Sequence, residues 1–335
     1  MFMIETPSYA RGMLSQPAVR LLKRLASEGV SPWLVAATGE EFLPDRPSHS
    51  ATTELLHGAV APVLDPDTVR RACDALWNAF VESGGGEGRV SVPVDPWLVH
   101  DAESLVSAAR SVHEEVGRPN LLVRIPATRA GLVALEECLS LGISVDADLI
   151  FSAERYEQVL AAYLSGMELA LSRGLRLRRI SAVTSVPVGM LDAEVNSRLA
   201  ALPLRGAAVA GARDTAALAV ARLLYRAREK RLEGEWWRVL RAAGATPPGL
   251  LWTEARPRHV SSLVGWNTGL AATRKVLEAA AATEQLRGDT LLNAHAEARR
   301  ALDALDGLGI RIGEVALELE AGELDRLQRA WTLRS

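Results

Sequence analysis

Two hydrophobic periods alternate along this chain, and that alternation limits its fold more than any other feature. Short apolar segments fall at 31–38 (SPWLVAAT), 48–54 (SHSATTE), 88–95 (GRVSVPVD) and 120–127 (NLLVRIPA). Four more follow at 143–151 (ISVDADLIF), 178–185 (RRISAVTS), 249–256 (GLLWTEAR) and 259–267 (HVSSLVGWN). Stretches of helical period lie between them. DAESLVSAARSVHEEVG opens on Asp101, a good N-cap, and SAERYEQVLAAYLSGMELALSRG runs from Ser152 to a closing Gly174. Strands alternating with helices require a parallel sheet covered on its faces. Eight such units in 335 residues predict an α/β chain folded as one (β/α)8 TIM barrel rather than an open doubly wound sheet. The barrel is expected over about residues 30–285. A helical tail over about 288–331, with Leu302, Leu305 and Leu308 on one face, is expected to pack over the barrel or its mouth.

Composition narrows the function classes. No charge-free apolar run reaches the roughly 18 residues of a membrane span. The opening MFMIETPSYARG lacks the basic and apolar regions of a secretory leader, so a cytoplasmic location is expected. A net charge of −3 gives no pull toward nucleic acid or anionic lipid, and neither is expected as a partner. Cys73 and Cys138 are too few for a disulfide scaffold or a four-cysteine zinc site and read as buried small hydrophobes. SGGGEG (83–88) precedes a strand instead of opening a helix, so it reads as a linker and not as a phosphate loop.

One residue resists this reading. Arg124 stands in the middle of NLLVRIPA, an otherwise apolar strand. An arginine there either points to water or points into a barrel whose interior is a site.

The segments around it carry a resemblance. VSVPVDPWLVHD, RPNLLVRIPATRAGLVALEECLSLGISVDADLIFSAERYEQVLAAYLSGME and EVNSRLAALPLRGAAVAGARDTA resemble the transaldolase family, in the right order, and the likeness runs from about Pro17 to the final helices. The resemblance implies a barrel of the class I aldolase/transaldolase type. It also implies transfer of a dihydroxyacetone unit between sugar phosphates through a lysine Schiff base, and association of copies through helices. The family lysine on the fourth strand matches Arg124, which places that side chain inside the barrel. A guanidinium does not lose its proton near neutrality and cannot form the Schiff base. The chain holds three lysines, Lys23, Lys230 and Lys275, and all fall in helical patterns.

Further positions depart from the family in the same way. Its first-strand aspartate matches Val35, its second-strand asparagine Glu54, and its third-strand glutamate Pro93. The fifth-strand Asn and Thr match Asp146 and Asp148, and the phosphate-binding arginine after the sixth strand matches Met190. Ser185 matches a retained serine, and Arg258 is a replacement for a basic residue near the phosphate site. Trp97 stands where relatives have Arg or Lys, Trp266 where they have a small apolar residue, and Trp252 where they also have Trp. Together these residues imply a mouth less polar than a simple sugar phosphate needs.

Asp146 and Asp148 are two apart on a strand and share one face, which the resemblance implies is the inward one. With Arg124 and Glu54 they form the expected catalytic set. Arg124 would orient a carbonyl or anionic group while the two aspartates divide into acid and base, one with a raised pKa. Ser185, Met190, Trp97, Trp252, Arg258 and Trp266 form the expected substrate-binding set. His57 reads as a surface residue at a helix start. A divalent ion on Asp146, Asp148 and Glu54 is disfavoured by Arg124, so no metal or other cofactor is expected.

Three functions stay open at this point. The first is a repurposed enzyme of specialised metabolism, a lyase, isomerase or cyclase that uses acid–base chemistry on a small molecule. The second is an inactive homologue that binds a ligand or serves as a partner subunit, with the charges as an inert network. The third is retained transaldolase activity. Removing ions from water costs several kcal/mol each, which argues against drift as the origin of the acids.

Overall fold

Eight parallel strands close on themselves in chain order. They are β1 (Val30–Val35), β2 (Gly58–Val60), β3 (Arg89–Pro93), β4 (Leu121–Pro126), β5 (Val145–Asp148), β6 (Ala182–Pro187), β7 (Gly249–Thr253) and β8 (Thr268–Ala272). The computed structural model describes residues 14–35, 56–61, 65–203 and 206–333. Its closed parallel barrel with surrounding helices is the (β/α)8 architecture that the alternation predicts.

Alternate strand residues face the two sides of the barrel wall. Outward, Val123, Ile125, Ala147 and Trp252 join one continuous core with the surrounding helices. Inward, Trp33, Val60, Leu122, Leu251 and Ala271 pack as a separate cluster with Val35 and Val183 against it. That cluster plugs the barrel beneath Arg124.

The plug explains two displaced strands. The second strand is Gly58–Val60, not 48–54, and the eighth is Thr268–Ala272, not 259–267. Most of the latter segment is the helix Pro257–Ser262 and the turn after it. A Cβ on Gly58 would run into the Trp33 indole, and one on Gly269 would press on Leu251 and Trp33. Trp33 takes the space that neighbouring strands would otherwise fill, so β2 and β8 hold one large apolar residue each, Val60 and Leu270, among Gly, Ala and Thr, with little apolar signal. Glu54, expected on the second strand, falls outside the described residues.

Helix starts follow the side-chain chemistry. Asp101 accepts from the Glu103 amide and opens Ala102–Val116, which ends at Gly117 with φ 59°. Ser152 caps Ala153–Ser172 through the Arg155 amide. Thr128 accepts from Gly131 N and donates to Val99 O at 2.7 Å, which ties the helix after β4 to the loop after β3.

The tail divides between the two expected positions. His295–Asp306 packs on the barrel's flank against Ala216–Leu232. Ile312–Thr332 crosses the mouth, with Ala316 in a cluster with Leu149 and Phe151 and with Leu319, Leu324 and Leu327 against it. Polar ties pin this final helix at several points. Arg155 grips Glu320 through two hydrogen bonds at 3.0 and 2.9 Å, and Arg198 pairs with Glu318 at 2.5 Å. Gln328 donates to Pro96 O at 3.1 Å.

Candidate active site

Arg124 does point into the barrel. The register sets it beside Pro93 on β3 and Asp146 on β5. Its Nε donates to Ser91 Oγ at 3.1 Å, and its Nη2 donates to Ala61 O at 2.9 Å and Ser91 O at 3.1 Å. Nη1 makes no hydrogen bond among the described residues, and the side chain lines the cavity above it. The guanidinium is thus held on two nitrogens and leaves the third for a ligand.

Asp146 lies under this clamp. Its Oδ2 accepts from Ser91 Oγ at 2.6 Å and Ser185 Oγ at 2.9 Å, with Arg124 Nε at 3.7 Å. Its Oδ1 is buried without a hydrogen-bond partner among the described residues. Burial pushes the carboxyl up to about 7, outweighing the attraction of Arg124 and the two serine hydroxyls.

Asp148 is one step higher on the same face. Oδ1 accepts from the Leu149 amide at 2.7 Å, and Leu149 takes a left-handed φ of 63° at the strand end. Burial raises its carboxyl above the usual range, and Arg124 partly opposes the rise. Glu254 follows β7 with φ 52°, and its carboxyl is raised by burial against the attraction of Arg326. A Cβ on Gly189 would overlap the Glu254 carbonyl, so this strand end depends on a bare backbone at residue 189. Positive φ at Leu149, next to Asp148, and at Glu254 itself marks the strained backbone that functional sites often hold.

The final helix supplies the roof. Arg326 reaches over Asp148 and Glu254 and is held by Glu323, which is 6% exposed and hydrogen-bonded to Arg326 Nε at 2.6 Å. Beneath it lie two adjoining lobes of about 270 Å³ and 90 Å³. Both are lined by Arg124, Asp148, Glu254 and Arg326. Among the described residues no three His, Cys, Asp or Glu side chains converge as a metal ion requires.

The expected residues do not all meet here. Asp148 lines both lobes, whereas Asp146 lines neither and instead holds Arg124. Ser185 and Met190 line the smaller lobe. Trp97 is on the rim, 56% exposed, and its Nε1 donates to Thr332 Oγ1 at 3.3 Å. Three expected binding residues are elsewhere. Trp252 is fully buried on the outward face of β7, because its strand parity is opposite to that of Leu251. Trp266 precedes β8 at the opposite end of the barrel, 69% exposed, a consequence of the shifted eighth strand. Arg258 is spent on Asp192 at 2.9 Å and on Asp214. His57 lies just ahead of β2, paired with Glu87 at 2.8 Å, and not at a helix start.

Glu254, Ser91, Glu323 and Arg326 are the residues that sequence reasoning missed. Glu254 carried a signal, as the first charge past a strand that ends at the catalytic face of such barrels. Arg326 carried none, since only the docking of the final helix brings it to the mouth.

These features define a (β/α)8 barrel with its ligand cavity at the carboxyl ends of the strands. The model of the family described as transaldolase/fructose-6-phosphate aldolase matches residues 47–333. Transaldolase 1 of Streptomyces coelicolor is 38% identical over 300 residues, covering 87% of this chain and 77% of its own. The transaldolase of Acidothermus cellulolyticus is 38% identical over 272 residues, covering 79% and 72%. Transaldolase 1 of Streptomyces avermitilis is 39% identical over 271 residues, covering 78% and 71%. The chain belongs to the transaldolase/fructose-6-phosphate aldolase family.

Proposed function

We propose that this family member is an acid–base enzyme, an isomerase, lyase or cyclase that acts on a small carbonyl compound without forming an amine adduct. The observation that carries the reading is the clamped guanidinium of Arg124, with Nη1 left toward the cavity. The three lysines support it from the other side, being exposed on Gln16–Ser27, Ala216–Leu232 and Arg274–Thr283, outside the barrel.

In this reading Arg124 holds the substrate's carbonyl oxygen. Asp148 takes a proton from the adjacent carbon, the C–H electron pair becomes a C=C bond, and the carbonyl pair moves onto oxygen beside the guanidinium. Glu254, nearer the solvent, returns a proton to the new position or to a leaving group. Asp146 is a positioning residue that keeps Arg124 in place.

The test is mass spectrometry of metabolite extracts incubated with the wild type, Asp148→Asn and Glu254→Gln. A compound consumed by the wild type and spared by both variants is the expected result. Consumption by all three would reject the acids. No consumption at all would turn the reading to a ligand-binding homologue. Borohydride trapping with fructose 6-phosphate should add no mass to the protein, and a covalent increment would restore the transaldolase route.

A further inference from the structure

The two lobes differ in chemistry. Among the described residues, seven line the larger lobe and not the smaller: Ala61, Pro93, Val94, Pro96, Pro126, Ala330 and Trp331. All are apolar. Among the described residues, every charged residue of the larger lobe is also shared with the smaller one, so these charges gather at the junction. Three of the seven are prolines, which offer no backbone N–H. Ala61 O already accepts from Arg124, and Pro96 O from Gln328. The hydroxyls of a sugar would find few partners along this wall, and each one left unpaired there would weaken binding.

The sizes fit a divided ligand. The smaller lobe, about 90 Å³, holds a group of a few atoms beside Arg124, Ser185 and Thr253. The larger, about 270 Å³, exceeds the roughly 150 Å³ that takes up a benzene ring in an apolar cavity. Its wall is made by the ends of β3 and β4 and by the last turns of the final helix, which Gln328 fastens to Pro96.

We infer that the substrate is a compact amphipathic oxo acid. Its polar oxo-acid end sits at the Arg124–Asp148–Glu254 junction, and an aromatic or branched aliphatic body fills the lobe of Pro93, Pro96 and Trp331. This inference rests on the acid–base reading for the role of the junction, while the apolar lobe stands independently of any turnover.

The test is calorimetric titration of the full chain with phenylpyruvate, 4-methyl-2-oxopentanoate, pyruvate and fructose 6-phosphate. Phenylpyruvate and 4-methyl-2-oxopentanoate should bind at least about tenfold tighter than pyruvate, as burial of their apolar bodies requires. Ala330→Phe fills the lobe and should remove that advantage, so that phenylpyruvate binds no tighter than pyruvate. Val94→Asp, which charges the same wall, is the second variant should the first fail to fold. Equal binding of pyruvate and phenylpyruvate, tighter binding of fructose 6-phosphate, or no binding of any probe would overturn the inference. Binding of the aryl compound without turnover would keep the substrate class and reject catalysis. Turnover of a compound lacking an apolar body would do the reverse.

Discussion

Asp146→Asn should alter the pH dependence of stability in a way that can be worked out beforehand. The folded carboxyl titrates at about 7 against an ordinary value of 3.8. Between these values the folded chain binds a proton that the unfolded chain has released, so stability falls as pH rises through that window. The full difference is about 4 kcal/mol, and rather more than half of it lies between roughly pH 5 and pH 8. Asparagine does not titrate, so this part of the slope vanishes. Its amide can still accept from Ser91 and Ser185, but its N–H group takes the place of the unpartnered Oδ1. That buried donor costs about 1–3 kcal/mol at every pH and cancels when the two pH values are compared. Urea unfolding of both proteins at the two pH values is the assay. The variant should gain about 2–3 kcal/mol on the wild type across the interval and be the more stable at the upper end. Parallel profiles, with the gap changing by less than about 0.5 kcal/mol, would refute the reasoning, because Asp146 would then be ionised throughout.

Two further outcomes follow from the placement of side chains. Trp252→Ala should cost about 3–5 kcal/mol in urea unfolding, since the ring is fully buried in the outer core, whereas Trp266→Ala should cost under about 1 kcal/mol and leave cavity binding unchanged. Asp192→Asn should destabilise by about 1.5–3 kcal/mol near neutrality. Burial alone would raise this carboxyl, but the bonds from His259 and the Ala217 amide, with Arg258 beside it, hold it below its usual 3.8. A depressed carboxylate adds stability above its unfolded pKa and loses it as pH falls through the folded one, so the deficit should shrink below about pH 4.

The sequence by itself determined the architecture and the common face of the two strand acids, while the inward direction of that face was implied by the family resemblance. Alternating periods over this length require a closed parallel barrel, and a period of two puts Asp146 and Asp148 on one face. It does not say how deep each lies. Along a strand the two are about 6–7 Å apart, enough to put one above the clamp, facing the cavity, and the other beneath it. That difference separates the acid that lines the cavity from the one that lies beneath Arg124. Strands β2 and β8 were hidden for a related reason. Trp33, far away in sequence, fills their share of the interior, so Gly58 and Gly269 carry no apolar signal of their own. The roof is tertiary altogether. Arg326 and Trp331 reach the mouth only because Arg155, Arg198 and the Leu149–Phe151 patch dock the final helix across it, and no local pattern in Ile312–Thr332 encodes that destination.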